Sequence, residues 1–169
     1  MIPDSVTESC LCSGSDTRTE GGGALPAKPG AYALVLGCRF AGRVRIGRRG
    51  EMEVRPGWYV YAGSALGPGG LRARVGHHLR PAARPRWHID FLRRHARVRA
   101  VWYATGAARR EHQWAARIAR LPGATVPMAR FGSTDCRCAA HLAHFRTCPP
   151  AREFERILGP GTVRTKRML

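Results

Sequence analysis

Asparagine is missing altogether from this 169-residue chain, and lysine nearly so: Lys28 and Lys166 are the only two among 29 basic residues, the rest being arginine. Acidic residues are scarce as well, 11 in all, which leaves a formal charge of +18. Such an excess makes a polyanion the natural partner, because clustered cations attract phosphate backbones and release their counterions. A GC-rich genome would produce the arginine skew without selection for binding, so charge supports a nucleic-acid partner without establishing one. No run of about 18 apolar residues is present, which excludes a membrane-spanning helix. Asp4 and Glu8 stand where a secretory leader would carry basic residues, so a cytoplasmic location is expected. Six cysteines, at 10, 12, 38, 136, 138 and 148, would allow three disulfides, but a chain of this length needs no such staples. The two C-x-C pairs are too close in sequence to link distant elements, and reduced thiols are expected.

What is present is enough for one domain: 44% of residues are hydrophobic, sufficient for a core of ordinary size. Residues 1–28 are rich in Ser, Thr, Asp and Gly without apolar periodicity, and read as a disordered tail in which Cys10 and Cys12 are incidental. The domain is expected over 29–148, followed by a C-terminal helix and basic tail over 149–169. GAYALVLGC (30–38) and the alternating 43–46 segment predict a hairpin, and Trp58 to Ala62 a third strand of the same meander. A short helix is expected from Trp87 to about His95, and a fourth strand over 97–105 with Val98, Ala100, Trp102 and Ala104 inward. The spacing of Trp114, Ile118 and Leu121 predicts a helix over 107–121, with Glu111 in its first two turns. A short strand is expected near Leu142, an amphipathic segment over 151–158, and a fraying tail over 164–167.

The densest stretch is WYVYAGSALGPGGLRARVGHHLR, Trp58 to Arg80: a strand, a glycine loop and a basic helix. Such a loop either brings a helix N-terminus against a phosphate or is simply a tight turn into a helix with a solvated arginine face. Gly30-Ala31-Tyr32 on one strand and Tyr61-Ala62-Gly63 closing another, followed by LRARVGHH, resemble the GIY-YIG nuclease superfamily. YVYAGSALGPGGL, WHIDFL and FGSTDCRCAAHL in that order are similar to its DUF123 branch, over about Pro29 to Phe145. The resemblance implies an α+β domain: a small, mainly antiparallel sheet flanked by helices, with the two tyrosine-bearing strands side by side.

It also implies a metal-dependent DNA endonuclease, with RNA left open as substrate and a repair context suggested by related domains joined to base-excision glycosylases. Phosphodiester hydrolysis needs a base for water, a cation against the phosphate oxygens and help for the leaving alkoxide. By the resemblance, Tyr32 orients or deprotonates the water and Tyr61 sits beside it. Tyrosine is a weak base at neutral pH, so arginine or metal charge would have to lower its pKa. Arg74, with Arg72 as the alternative, matches the helix arginine. His78, one turn after Arg74, and His88 are candidates to protonate the leaving oxygen or bind phosphate. Glu111 matches the ligand of Mg²⁺ or Mn²⁺, and Arg72, Arg80 and Ser64 are assigned to DNA contact. Read without the motif, both tyrosines are sheet packing and Glu111 is a solvated carboxylate.

The chain departs from the superfamily in Ala31 for isoleucine, in the 29 residues between Tyr32 and Tyr61, and in the missing late asparagine, whose place falls to Ser133 or Asp135. Cys136, Cys138 and His141, with His144 and Cys148 nearby, have the residue types of a zinc cluster. On a strand, however, His141 would face away from both cysteines, so reduced thiols are preferred to zinc. Two other readings stand beside the nuclease: a non-catalytic nucleic-acid-binding module on the same fold, and a zinc-stabilised interaction protein.

Overall fold

The computed structural model describes residues 24–80 and 82–166. The tail expected over 1–28 lies outside these residues up to position 23, together with Cys10 and Cys12. The described residues form a single α+β domain built on a five-stranded antiparallel sheet. Strand β1 (Gly30–Cys38) is its centre, flanked by β4 (Gly57–Ala65) and β5 (Ala96–Thr105), with β6 (Leu142–Phe145) and β7 (Val163–Lys166) at the edges. The two tyrosine strands are neighbours, Tyr32 lying opposite Gly63 and Leu34 opposite Tyr61. Among the described residues no helix is long and apolar enough to cross a membrane.

The expected hairpin between β1 and the 43–46 segment does not form. Strand β2 (Gly42–Arg45) instead turns through Gly47–Arg49 and pairs with β3 (Glu51–Val54) in a separate two-stranded ribbon. The reason is burial: β1 is covered on both faces and requires partners along its whole length, which β4 and β5 supply. A four-residue strand exposing Arg43 and Arg45 cannot.

Two layers cover the sheet. On one face, α1 (Gly70–Leu79), α2 (His88–Leu92) and the ribbon pack Leu71, Val75, Ile89, Leu92, Val44 and Met52 against Tyr32, Leu34, Leu36, Tyr59 and Tyr61. On the other, α3 (Glu111–Ile118) and α4 (Ala151–Leu158) pack Trp114, Ile118, Phe154 and Ile157 against Ala31, Ala33, Val35, Val60 and Ala62. Period two along β1 and β4 separates these sets.

Three expectations are corrected in detail. Val98 does not share a face with Ala100, Trp102 and Ala104, because Val35 pairs with Ala100 and Leu36 with Val98, leaving Arg99 as a bulge that flips the alternation. Helix α3 begins only at Glu111, after an exposed turn that follows Gly106 at φ 132°. The tail expected to fray is β7, paired through Val163 to Lys166 with β5, while Phe154 of α4 stacks on Trp102 at 5.7 Å. The segment after Pro149 thus belongs to the same folded unit.

Candidate functional site

The glycine loop delivers α1 to the sheet in a way that closes one option. Gly69 and Gly70 have φ of 78° and 53°, and a Cβ on Gly70 would collide with the Lys28 carbonyl. Leu71 N–H donates to Lys28 O at 2.9 Å and Arg72 N–H to Pro26 O at 3.0 Å, while Gly70 and Ala73 N–H bond Gly67 and Gly69 carbonyls. All four opening N–H groups of the helix are therefore taken, and the loop is a packed turn rather than a phosphate cradle. Arg72 itself is exposed and donates from Nε to Leu25 O at 3.1 Å, and Arg80 is exposed at the helix end. Ser64 is half-buried near the end of β4.

What α1 does bring to the sheet is His78. The Tyr32 hydroxyl lies 3.0 Å from His78 Nε2, and His78 Nδ1 lies 3.0 Å from Asp90 Oδ1. A carboxylate only accepts, so Nδ1 carries the hydrogen and Nε2 accepts from the tyrosine O–H. Asp90, in the first turn of α2, also accepts at Oδ2 from the backbone N–H of Arg86 and Trp87 and from His77 Nε2, at 3.0–3.1 Å. Those donors hold its carboxyl well below the usual carboxylate range against the opposing effect of burial. Arg93 locks the arrangement from behind, donating to the carbonyl oxygens of His78, Leu79 and Ala96. Sequence reading missed Asp90; the signal was its place three residues after Trp87, where a carboxylate can reach back to the N-cap N–H.

Tyr61 stands beside this relay, its ring 6.4 Å from Tyr32 and 6.5 Å from His78, whereas Tyr59 is tied to the Arg55 backbone at 2.8 and 3.1 Å. Arg74 is half-buried with its guanidinium 4.1 Å over the Trp87 ring. Its charge lowers the pKa of both site tyrosines, but burial wins: Tyr61 is pushed up to about 12 and Tyr32 well above its ordinary value. The protein's own charges therefore do not make a tyrosinate base, contrary to what the residue types alone would require. Burial lowers His78, keeping it neutral at pH 7 and able to accept a proton. His88 is elsewhere in the wall: its Nδ1 accepts from Gly132 N–H at 2.9 Å, which leaves Nε2 with the hydrogen.

Glu111 opens α3 from the opposite layer, yet its charge is felt by Tyr32 and Tyr61. It is 3% exposed; Oε1 lies 3.4 Å from His112 Nε2, and among the described residues Oε2 is buried without a hydrogen-bond partner. A free, buried carboxylate oxygen suits Mg²⁺ or Mn²⁺, which take one or two carboxylates and keep several waters. Ser133 is buried with an unpartnered hydroxyl, and Asp135 is exposed.

The segment from Phe131 to Ala140 is a succession of turns rather than a strand, so alternation does not govern its side chains. Cys136 Sγ lies 3.4 Å from His141 Nε2, and Cys138 Sγ 3.4 Å from His112 Nδ1. Donor atoms of His112, Cys136, Cys138 and His141 all fall within 4.8 Å of one another. His112 was invisible as a partner in sequence, 24 residues before Cys136. His144 and Cys148 are not in the cluster: His144 Nε2 contacts Pro56 O at 3.0 Å, and Cys148 is buried under α4. A second group, His77, His78 and Asp90, is equally compact. There both nitrogens of His78 and both oxygens of Asp90 already have partners within the protein. Gly132, at φ 71°, sits between the two sites, since a Cβ there would lie 2.8 Å from the Tyr61 ring and 3.1 Å from His141 Cβ.

Comparison with protein families gives a match over residues 31–159 to the family described as Domain of unknown function DUF123. No curated protein and no solved structure matches the chain.

Proposed function

This chain belongs to the DUF123 family, and we propose that it is a GIY-YIG-like endonuclease hydrolysing phosphodiester bonds in DNA. The observation that carries the reading is the Tyr32–His78–Asp90 relay, two 3.0 Å hydrogen bonds ending on an ionised carboxylate. A buried, neutral imidazole oriented by a carboxylate and hydrogen-bonded to a hydroxyl is a proton acceptor poised for that hydroxyl. Water attacking phosphorus gives a proton to the Tyr32 oxygen as the tyrosine proton passes to His78 Nε2, and Asp90 Oδ1 stabilises the imidazolium. The hydroxide forms the new P–O bond as the bond to the leaving sugar oxygen breaks. His88 Nε2–H is the donor at hand for that oxygen, which draws its final proton from solvent.

Arg74 meets the non-bridging oxygens, its fork suiting them better than a lysine would. A divalent cation held at Glu111 Oε2 would supply further positive charge at the same phosphate. Tyr61, with 7% of its surface exposed against 1% for Tyr32, forms the lip of the site. A nucleic-acid partner is supported by two basic grooves on this side of the sheet, one containing Arg72, His77 and Arg80, the other Arg43, Arg45 and Arg94.

The test is cleavage of branched, nicked, single-stranded and duplex DNA and of RNA, with Mg²⁺ or Mn²⁺. Tyr32→Phe and His78→Ala are expected to lose about 10²–10⁴-fold in rate while remaining folded, and Glu111→Ala to lose the response to metal. Wild-type protein that binds DNA at low salt but cuts nothing would replace this reading with that of a binding module.

A further inference from the structure

We propose that His112, Cys136, Cys138 and His141 bind a structural zinc ion, and that Glu111 Oε1 is the hydrogen-bond acceptor that orients His112 on it. The four ligands are separate from the residues of the activity proposed above, with which the site shares only Glu111. Tetrahedral zinc with bonds of about 2.3 Å to sulfur and 2.0–2.1 Å to nitrogen places S and N ligands about 3.5 Å from each other. Two of the four sulfur–nitrogen pairs, Cys136 with His141 and Cys138 with His112, measure 3.4 Å, and all four donor atoms lie within 4.8 Å of one another. Two thiolates and two imidazoles in that shape select zinc over the hard cations that suit carboxylates. Four protein ligands leave no open position, so the ion is structural rather than catalytic.

The cluster also bears on a segment that is held to the body of the domain by the buried Phe131 ring and by Gly132 N–H donating to His88 Nδ1 at 2.9 Å. Residues 131–140 contain no strand or helix, and their local ties are Arg130 N–H to Ala139 O at 2.6 Å, Arg130 Nη1 to Cys138 O at 3.0 Å and His141 N–H to Phe131 O at 2.7 Å. These join the segment to itself. Zinc joins it to the start of α3, across the sheet edge, and fixes the wall that Gly132 presents to Tyr61. His112 completes the connection in the manner of a ligating histidine, with Nδ1 toward Cys138 Sγ and Nε2 3.4 Å from Glu111 Oε1. Oε1 of Glu111 is thereby directed to His112, and Oε2 stays buried without a hydrogen-bond partner among the described residues.

Zinc content of the full chain, purified with its thiols reduced, is the direct measurement, with Co²⁺ exchanged in as a spectroscopic probe. About one zinc per chain is expected, and the Co²⁺ form should show tetrahedral d–d bands with thiolate charge transfer. His112→Ala and Cys138→Ser should lose tight binding, and Glu111→Gln should keep the stoichiometry but weaken affinity about 10–100-fold. Folded wild-type protein that takes up neither metal, or a Cys136–Cys138 disulfide in its place, overturns the site. Unchanged affinity in His112→Ala overturns the fourth ligand, and unchanged affinity in Glu111→Gln overturns the orienting role. Should the ligand variants fail to fold, the wild-type Co²⁺ spectrum still decides, because a two-thiolate tetrahedral site and loosely bound Co²⁺ give different spectra.

Discussion

The two faces of the central sheet are made by alternate residues of the same strands, yet they are chemically opposite. Beneath α3 and α4 lie Ala31, Ala33, Val35, Val60 and Ala62, small side chains that let Trp114 and Phe154 settle directly on the sheet. Beneath α1 and α2 lie Tyr32 and Tyr61, met by His78 and backed by Asp90, all of them buried. One face is a packing surface in which geometry is set by volume. The other buries polar groups whose geometry is set by hydrogen bonds, and each of those bonds must be present because an unpaired buried group is costly. Placing the relay on the central strand β1 and on two helices packed over it gives it the rigid support that a loop would not.

That contrast can be broken most severely on the packing face. Phe154→Ala should cost about 3–5 kcal/mol of unfolding free energy in denaturant melts, with the Tyr32 environment unchanged by tyrosine fluorescence or NMR. A loss below about 1 kcal/mol would mean that α4 is not part of the core. A smaller effect is expected where the other face is tightest. A Cβ at Gly63 would lie 2.6 Å from the Tyr32 hydroxyl, so Gly63→Ala should cost about 1–3 kcal/mol and displace the tyrosine from His78. Retained stability with an unchanged Tyr32 signal would argue against the packed relay.

The smallest effect is the dependence on pH. His78 has a folded pKa below its unfolded value, because burial disfavours the charged ring. The unfolded chain then binds more protons, so this contribution is intact above the unfolded pKa of about 6.5 and is lost as pH falls from there toward the folded pKa, with a slope of at most about 1.4 kcal/mol per pH unit. Asp90, whose folded pKa is depressed, adds a second loss only in stronger acid, below about pH 4. His78→Gln should therefore be less stable at neutral pH but flatter as pH falls below about 6.5, while Phe154→Ala should keep the wild-type slope. Parallel curves for wild type and His78→Gln would show that the histidine is not desolvated.

Much of the site was legible before folding because its signals are local. Tyr61 and Arg74 sit on one strand–loop–helix unit, Tyr32 on the neighbouring strand β1, and Glu111 is expected near the start of a helix that in fact begins at that residue. Asp90 was less visible, since its role depends on four donors, His77 and His78 of α1 and the backbone N–H groups of Arg86 and Trp87 just before α2. His112 was hidden for a related reason: ligand spacing is readable only within one segment, and its partners lie beyond the end of α3, 24 residues and more along the chain.

Taken by itself, the sequence determined most of the strands and helices and, along β1 and β4, which residues share a face, because periods of 2 and 3.6 are properties of short stretches. Only the tertiary structure decided that β1 pairs with β4 and β5 rather than β2, that 163–166 closes an edge of the sheet, and that His78 meets Tyr32 while His112 meets two cysteines. Those outcomes depend on which surfaces can cover a strand buried on both faces, a competition among segments dozens of residues apart that no local pattern records.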